Sequence, residues 1–591
     1  MTVLLDVCFP NALDALVDRL SDPAWQGAQV EAWVFEDQPT RHAAEAALAL
    51  AGVSARIRSA YKPLVHAVLE EMDLTGVTAM EIATPTHPAG SAKRFALEAY
   101  PLAGLVKMPV QFVSGSAALT YTVTLHSAEG ARHFSVFAPN TVRPDATGQA
   151  QLSPSGWLRV ARAGVRFEDR ALPTEFVSAF DATMAAVMAH DWPAQWPFFE
   201  TLEIRIDTTG IDWRLPFHDE CLNTREALHE DLYFSLLEFF QTKAGLAPGD
   251  RTLQPGQIIP DIRRGEGATR VRVAVLPPVV EAVPEEARTV LETAKRPLRP
   301  GEIAAEMVAM GGEAFTVPSW QGRSILGRYF RGQRAGFLLS AGQHANETSG
   351  VVGALRAAQE LTQMPEINFT LIAQENVDGY ALHQRLIRDN PHHMHHAARY
   401  SALGDDIEAR PAKPWYEKAA REHAFALCQA RLHINLHGYP AHEWTRPMSG
   451  YLPRGFELWS IPKGFFLILR HHTGMGGQAL PFLHALTEQV MATPGLREYN
   501  ASQMAAWHAH AGALPFPVIN GIPCMITESD RATVPFTLIT EYPDETIYGD
   551  AFRLAHATQH ATVMAAVRLY LDGRLGLFSR AASAMTSIAS G

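Results

Sequence analysis

Three short segments, far apart in the chain, constrain it most: Gln343-His344-Ala345-Asn346-Glu347-Thr348, Ile434-Asn435-Leu436-His437-Gly438-Tyr439 and Leu538-Ile539-Thr540-Glu541-Tyr542. A hydrolytic zinc ion needs three protein ligands, usually imidazole and carboxylate, together with an open position for water and a nearby base to take that water's proton. Together the segments offer that set.

The flanking residues give each segment a place in a fold. Gly336-Phe-Leu-Leu-Ser-Ala predicts a buried strand, and Ser349 to Leu361 predicts a helix with Val351, Val352, Leu355 and Ala358 facing inward. His344 and Glu347 therefore fall in the loop between strand end and helix start, where α/β sheets place their sites. Their spacing lets both side chains reach one ion. The strand Ile367-Asn-Phe-Thr-Leu-Ile then leads into the turn-forming Glu375-Asn-Val-Asp-Gly-Tyr380. Arg431-Leu-His-Ile-Asn-Leu-His alternates, so that His433, Asn435 and His437 share one face. His437 is the best placed of the histidines, because Gly-Tyr-Pro after it puts it at the strand's end.

At 591 residues the chain is too long for one ordinary core, and about three or four domains are expected. Residues 1–105 predict a small α/β domain, with a helix from Ala12 to Leu20, and 106–280 an α+β domain whose alternating runs suggest antiparallel strands. The Pro-, Glu- and Arg-rich stretch 281–312 predicts a linker or seam, 313–578 a further α/β domain, and 579–591 a fraying tail. Within the second unit, Thr224 to Thr242 predicts a helix capped by Asn223, with Glu226 completing a capping-box-like start and Leu228, Leu232, Leu236 and Phe239 as its apolar stripe. His218-Asp219-Glu220, with His229 and Glu230 inside that helix, offers either a second metal site or a helix start with solvated charges, and the latter is expected.

Composition removes other classes. With 47% hydrophobic and 19% charged residues the chain is an ordinary globular one. Its net charge of -12, without any Lys/Arg block, argues against nucleic-acid binding. The first residues lack a basic signal-type region and no run of about 18 apolar residues occurs, so a cytoplasmic protein without a membrane span is expected. Cys8, Cys221, Cys428 and Cys524 show no paired spacing, which predicts buried free thiols.

From about Phe315 to Gly573 the chain resembles the zinc metallocarboxypeptidases and their succinylglutamate desuccinylase/aspartoacylase-type relatives. The resemblance rests on a His-x-x-Glu pair (His344, Glu347), a strand-end His followed by a small residue and an aromatic (His437-Gly438-Tyr439), and a strand-borne glutamate (Glu541). Asn376-Val-Asp-Gly-Tyr also looks like the family's Asn-Pro-Asp-Gly-aromatic turn, with Val377 replacing the proline. The order is right, with 90 residues from Glu347 to His437 and 104 from there to Glu541. It implies an α/β/α domain around a mixed sheet and one zinc ion on His344, Glu347 and His437. Glu541 would be the general base, with Glu528 as a competitor.

The family's Asn-Arg carboxylate clamp is incomplete here: Ala398-Arg399-Tyr400 keeps only the arginine. Arg399 or Arg410 could supply the fork that grips a terminal carboxylate, or either could be structural; Asn376 and Tyr439 are further substrate-contact candidates. The leading expectation is hydrolysis of an amide bond next to a free carboxylate in a small peptide. The alternatives are a deacylase of N-acyl amino acids, since His-Ala-Asn-Glu-Thr looks like that subfamily's His-Gly-Asn-Glu-Thr, and a non-catalytic binding protein. His392-His-Met-His-His is expected to be a loop or helix start with incidental metal affinity, His471-His472 a strand end, and Trp444 to Trp459 a pocket wall, lid or surface loop.

Overall fold

The computed structural model describes residues 1–278, 283–442, 445–451, 454 and 461–577. It is mixed α/β. The tail expected at 579–591 lies outside these residues, as does most of 444–459.

The first half is built from small sheets whose strands come from distant parts of the sequence. Thr2–Phe9 pairs antiparallel with Thr269–Leu276, which pairs with Thr201–Thr208, and that strand pairs parallel with Gln257–Arg264. Gln29–Val34 lies between Ser54–Ser59 and Gly156–Arg162, and Val77–Thr84 between Val110–Ser114 and Thr120–Ser127. The boundary expected at residue 105 is therefore crossed by all three sheets. Local alternation was a sound guide to strands, as Leu202, Ile204 and Ile206 are all buried, but it carries no information on which strands pair.

Helix α1 (Thr224–Lys243) begins where expected, with Asn223 Oδ1 accepting from the N–H groups of Arg225 and Glu226. Two expectations fail there. The helix is buried nearly all round rather than along one stripe, and His229, Glu230 and Asp231 are buried, not solvated. The reason is that α1 is covered by both halves of the chain. Asp231 accepts from Met448 N and Ser449 Oγ at 2.6 Å each, Glu238 pairs with Arg446, and His229 Nδ1 lies 2.8 Å from Pro260 O. The Glu226 carboxylate, expected to close a capping box, instead accepts from Met394 N at 2.6 Å.

The second half is organised by one nine-stranded mixed sheet. Its strands are β1 (Glu313–Pro318), β2 (Ser324–Phe330), β3 (Phe337–Ala341), β4 (Phe369–Ile372), β5 (Leu432–Tyr439), β6 (Phe466–His471), β7 (Val518–Ile519), β8 (Ile522–Glu528) and β9 (Phe536–Pro543). Their order is β1-β2-β4-β3-β5-β9-β6-β8-β7, with β4, β3, β5 and β9 mutually parallel. Such central strands are covered on both faces and read as nearly continuous apolar runs. Phe337, Leu338, Leu339, Ile434, Leu436 and Leu538 are indeed buried, while helices α2 (Ser349–Leu361) and α3 (Gly549–Leu571) close one face. All four inward positions expected in α2 are buried. The expected linker is partly core: Leu291, Leu298, Ile303 and Met307 pack into the cluster under α2, and Tyr380 donates to Leu298 O.

Candidate metal centre

Parallel β3, β5 and β9 end along one edge, and the chain leaves β3 through Gly342 into the loop that carries His344 and Glu347. Gly342 has φ +66°, and a Cβ there would stand 3.2 Å from Gln374 Cα, so glycine suits both the turn and the close approach. Helix α2 starts at Ser349, whose N–H donates to Asp544 Oδ2 at 2.7 Å, tying the loop to the segment after β9. On β5, the side chains of His433, Asn435 and His437 share a face, as alternation predicts. Ser340 Oγ lies 2.7 Å from His433 Nε2 and donates to Asn435 Oδ1 at 2.9 Å, so the first two brace the sheet.

His437 instead meets His344 and Glu347. His344 Nδ1 lies 2.7 Å from Glu347 Oε1, His437 Nδ1 lies 3.0 Å from Glu347 Oε2, and the two Nδ1 atoms are 3.1 Å apart. Gly438 N donates to Glu347 Oε2 at 3.0 Å, and Arg399 Nη1 donates to Oε1. Gly438 also leaves room for Asp544, since a Cβ there would stand 2.0 Å from Asp544 Oδ1. Against its burial, His344, Arg399 and His437 hold the Glu347 carboxyl below the usual carboxylate range. Two ring nitrogens that close, sharing a buried carboxylate, form a donor set that fits zinc, whose tetrahedral ligand atoms stand about 3.3 Å apart. The other nitrogen of His344 faces Asp406 Oδ2 at 3.6 Å and the Gln343 amide at 3.4 Å, the kind of outer contact that fixes a ligating imidazole.

Glu541 stands in register with His437 on the neighbouring strand, so the two side chains lie on one face of the sheet. Both line a cavity of about 960 Å³ that also exposes Arg251, Arg399, Asp406, Arg470 and Phe466. Burial and the nearby Glu347 carboxylate push the Glu541 pKa well above the ordinary range, against the pull of Arg399 and Lys463. Lys463 is buried over the rings of Phe466 and Trp507, and burial holds its ammonium well below its usual range. Glu528, the competing base, is exposed on β8 and level with His471 at the far end of β6, whereas β6 meets Glu541 at Phe466. That separation sets it apart from His437 along the sheet, although it lines the same cavity.

Other expectations are corrected by contacts. Arg410 has its donors committed: Asp405 takes two at 2.8 Å, Glu417 and Trp415 O one each at 2.6 Å, and Ser401 Oγ one at 3.1 Å. It is a buried structural cation. Asn376 is fully buried as the cap of the helix Val377–Leu386, its Oδ1 accepting from Gly379 N and its Nδ2 donating to Tyr400 O at 2.9 Å each. It therefore holds the backbone around Arg399 and is not among the residues that line the cavity. Tyr439 also lines the cavity, but its hydroxyl donates to Gly464 O and accepts from Lys463 N. His471 and His472 contact carbonyl groups, as expected of strand-end residues. The described part of 444–459 is no lid: Arg446, Met448 and Ser449 are buried against α1. Sequence reasoning missed Gln343, Asp406, Lys463 and Arg251. Only Gln343, beside His344, carried any local signal.

No protein-family model matches the chain, and neither does any curated protein sequence. Solved structures similar to it include a metallo-carboxypeptidase from Burkholderia cenocepacia (13% identity, 52% of this chain and 77% of that one, TM-score 0.28). A second is bovine thrombin-activatable fibrinolysis inhibitor in complex with tick carboxypeptidase inhibitor (11% identity, 48% and 99%, TM-score 0.30). A third is a succinylglutamate desuccinylase/aspartoacylase from Rhodobacter sphaeroides (12% identity, 43% and 64%, TM-score 0.23). The first and third carry the names of the families that the ordered motifs resemble.

Proposed function

We propose that this protein is a zinc-dependent hydrolase that cleaves an amide bond next to a free carboxylate in a small peptide or a related conjugate. The observation that carries this reading is the convergence of His344, Glu347 and His437 at the ends of parallel strands, with Glu541 in register beside them on the cavity wall. The three side chains would hold the metal, which when bound supplies Lewis acidity and makes water acidic enough to ionise at a pKa of about 7. Glu541 would take the proton of the attacking water and deliver it to the leaving amine. Its raised proton affinity suits delivery, and a dication beside Glu347 would draw it down to suit acceptance.

Two of the arginines that line the cavity, Arg399 and Arg251, are the candidates for carboxylate recognition. Arg399 reaches Glu347, so it lies closest to the reacting groups. Arg251, which comes from the first half of the chain, has a side chain 40% exposed and stands 3.7 Å from Asp406. We assign the terminal-carboxylate contact to Arg251. A screen of peptides and N-acyl amino acids against their amidated analogues, on protein of measured zinc content, tests the reading. Turnover of N-acyl amino acids alone would move it to the deacylase alternative, and absence of both zinc and turnover would overturn it.

A further inference from the structure

A second cluster of ligand-type side chains lies where α1 meets the segment after β5, outside the centre described above. Cys221 opens the short strand Cys221–Asn223, Glu226 sits in the first turn of α1, and His442 comes from the other half of the chain, five residues beyond His437. One ligand atom from each lies within 4.8 Å of the others. Glu226 Oε1 is 3.1 Å from His442 Nε2, and Cys221 Sγ is 3.8 Å from Glu226 Oε2. Tetrahedral zinc, with bonds of about 2.0 Å to the lighter donors and about 2.3 Å to one sulfur, separates its ligand atoms by about 3.3–3.5 Å. The cluster already has nearly that size. The N–H of Met394 holds the Glu226 carboxylate in place, as outer contacts do at metal sites.

We propose that Cys221, Glu226 and His442 hold a second zinc ion, structural in role, which pins helix α1 to the segment that follows β5. An independent observation points the same way. Glu545, only 5% exposed, has no hydrogen-bond partner on either carboxylate oxygen; Glu347 and Arg399 of the first centre act on it most strongly and His442 of this cluster less so. Glu230, one turn beyond Glu226 on the same face of α1, is fully buried and faces Glu226, Glu545 and His442, with His396 Nδ1 2.9 Å from its Oε2. A buried surplus of carboxylates calls for a cation, and a mixed sulfur, nitrogen and oxygen set selects zinc over magnesium or calcium. The fourth position is left to water or to Glu230.

The test uses the full chain without a histidine tag and reads metal, not activity. Elemental analysis should give about two zinc ions per chain, falling to about one in Cys221→Ser and in His442→Ala. In His344→Ala the remaining ion should be this second one, so failure of the hydrolytic centre and failure of this site are separable. Cobalt substitution reports directly: cobalt-loaded protein should show a thiolate charge-transfer band in the near ultraviolet that survives in His344→Ala and Cys8→Ser but is absent in Cys221→Ser. Should Cys221→Ser fail to fold, the wild-type and Cys8→Ser spectra still decide. No thiolate band in the wild type, a band lost with Cys8→Ser, or unchanged zinc in Cys221→Ser would each overturn the proposal.

Discussion

The centre at the strand ends and the cluster at the start of α1 are alike in content, each a buried imidazole–carboxylate set, yet they are assembled differently. His344, Glu347, His437 and Glu541 all hang from one edge of one sheet, and the β5–β9 register alone places His437 beside Glu541. Cys221, Glu226 and His442 meet only because the two halves of the chain pack against each other around α1. A site of the first kind leaves a periodic trace in the sequence, while one of the second kind leaves scattered residues with no shared pattern.

The largest expected effect tests whether the strand-end centre depends on its register. His437→Ala should abolish metal binding there and with it all turnover, whereas His433→Ala, two residues along the same face, should keep the metal, both read by elemental analysis. The reverse result would exchange the roles of ligand and brace. Next in size, Arg410→Ala should cost about 3–5 kcal/mol of stability by stranding Asp405 and Glu417 in the interior. A urea midpoint near the wild-type value would mean that this arginine is not the buried structural cation its contacts describe.

Glu541→Gln keeps the side chain's shape and removes the base, so zinc should stay while kcat falls about 10²-fold or more. A Glu528→Gln variant should work normally; a dead one alongside an active Glu541→Gln would relocate the base. The smallest effect concerns the one contact to the first half of the chain that we assign to substrate. Arg251→Ala should raise KM for a free-carboxylate substrate about tenfold with kcat little changed, the cost of one charge-assisted contact of about 1.4 kcal/mol. Its amidated analogue should be unaffected. If Arg399→Ala alone removes that discrimination, the clamp lies on the same side of the molecule as the metal.

Much of the second half was legible because parallel strands covered on both faces are written as apolar runs, and because loops at their ends carry the polar residues. The strand before His344, the helix from Ser349 to Leu361 and the shared face of His433, Asn435 and His437 all follow from that. The two candidate arginines were not separable by this logic. Arg399 and Arg410 are eleven positions apart in similar surroundings, and only the side chains of Asp405, Glu417 and Ser401 reveal that one is saturated. Arg251 gave no signal at all, since nothing near it in sequence belongs to the cavity.

The sequence by itself determined the elements that hydrophobic period and capping specify: the strands, the start of α1 at Asn223, and the strand-end placement of His344, Glu347 and His437. Tertiary structure alone decided which strands pair across residue 105, why α1 carries buried charges, and which residues of the first half reach the cavity. The physical reason is range. Period and capping act over a few residues and are written locally, whereas pairing and charge burial depend on partners hundreds of residues away whose identity no local pattern encodes.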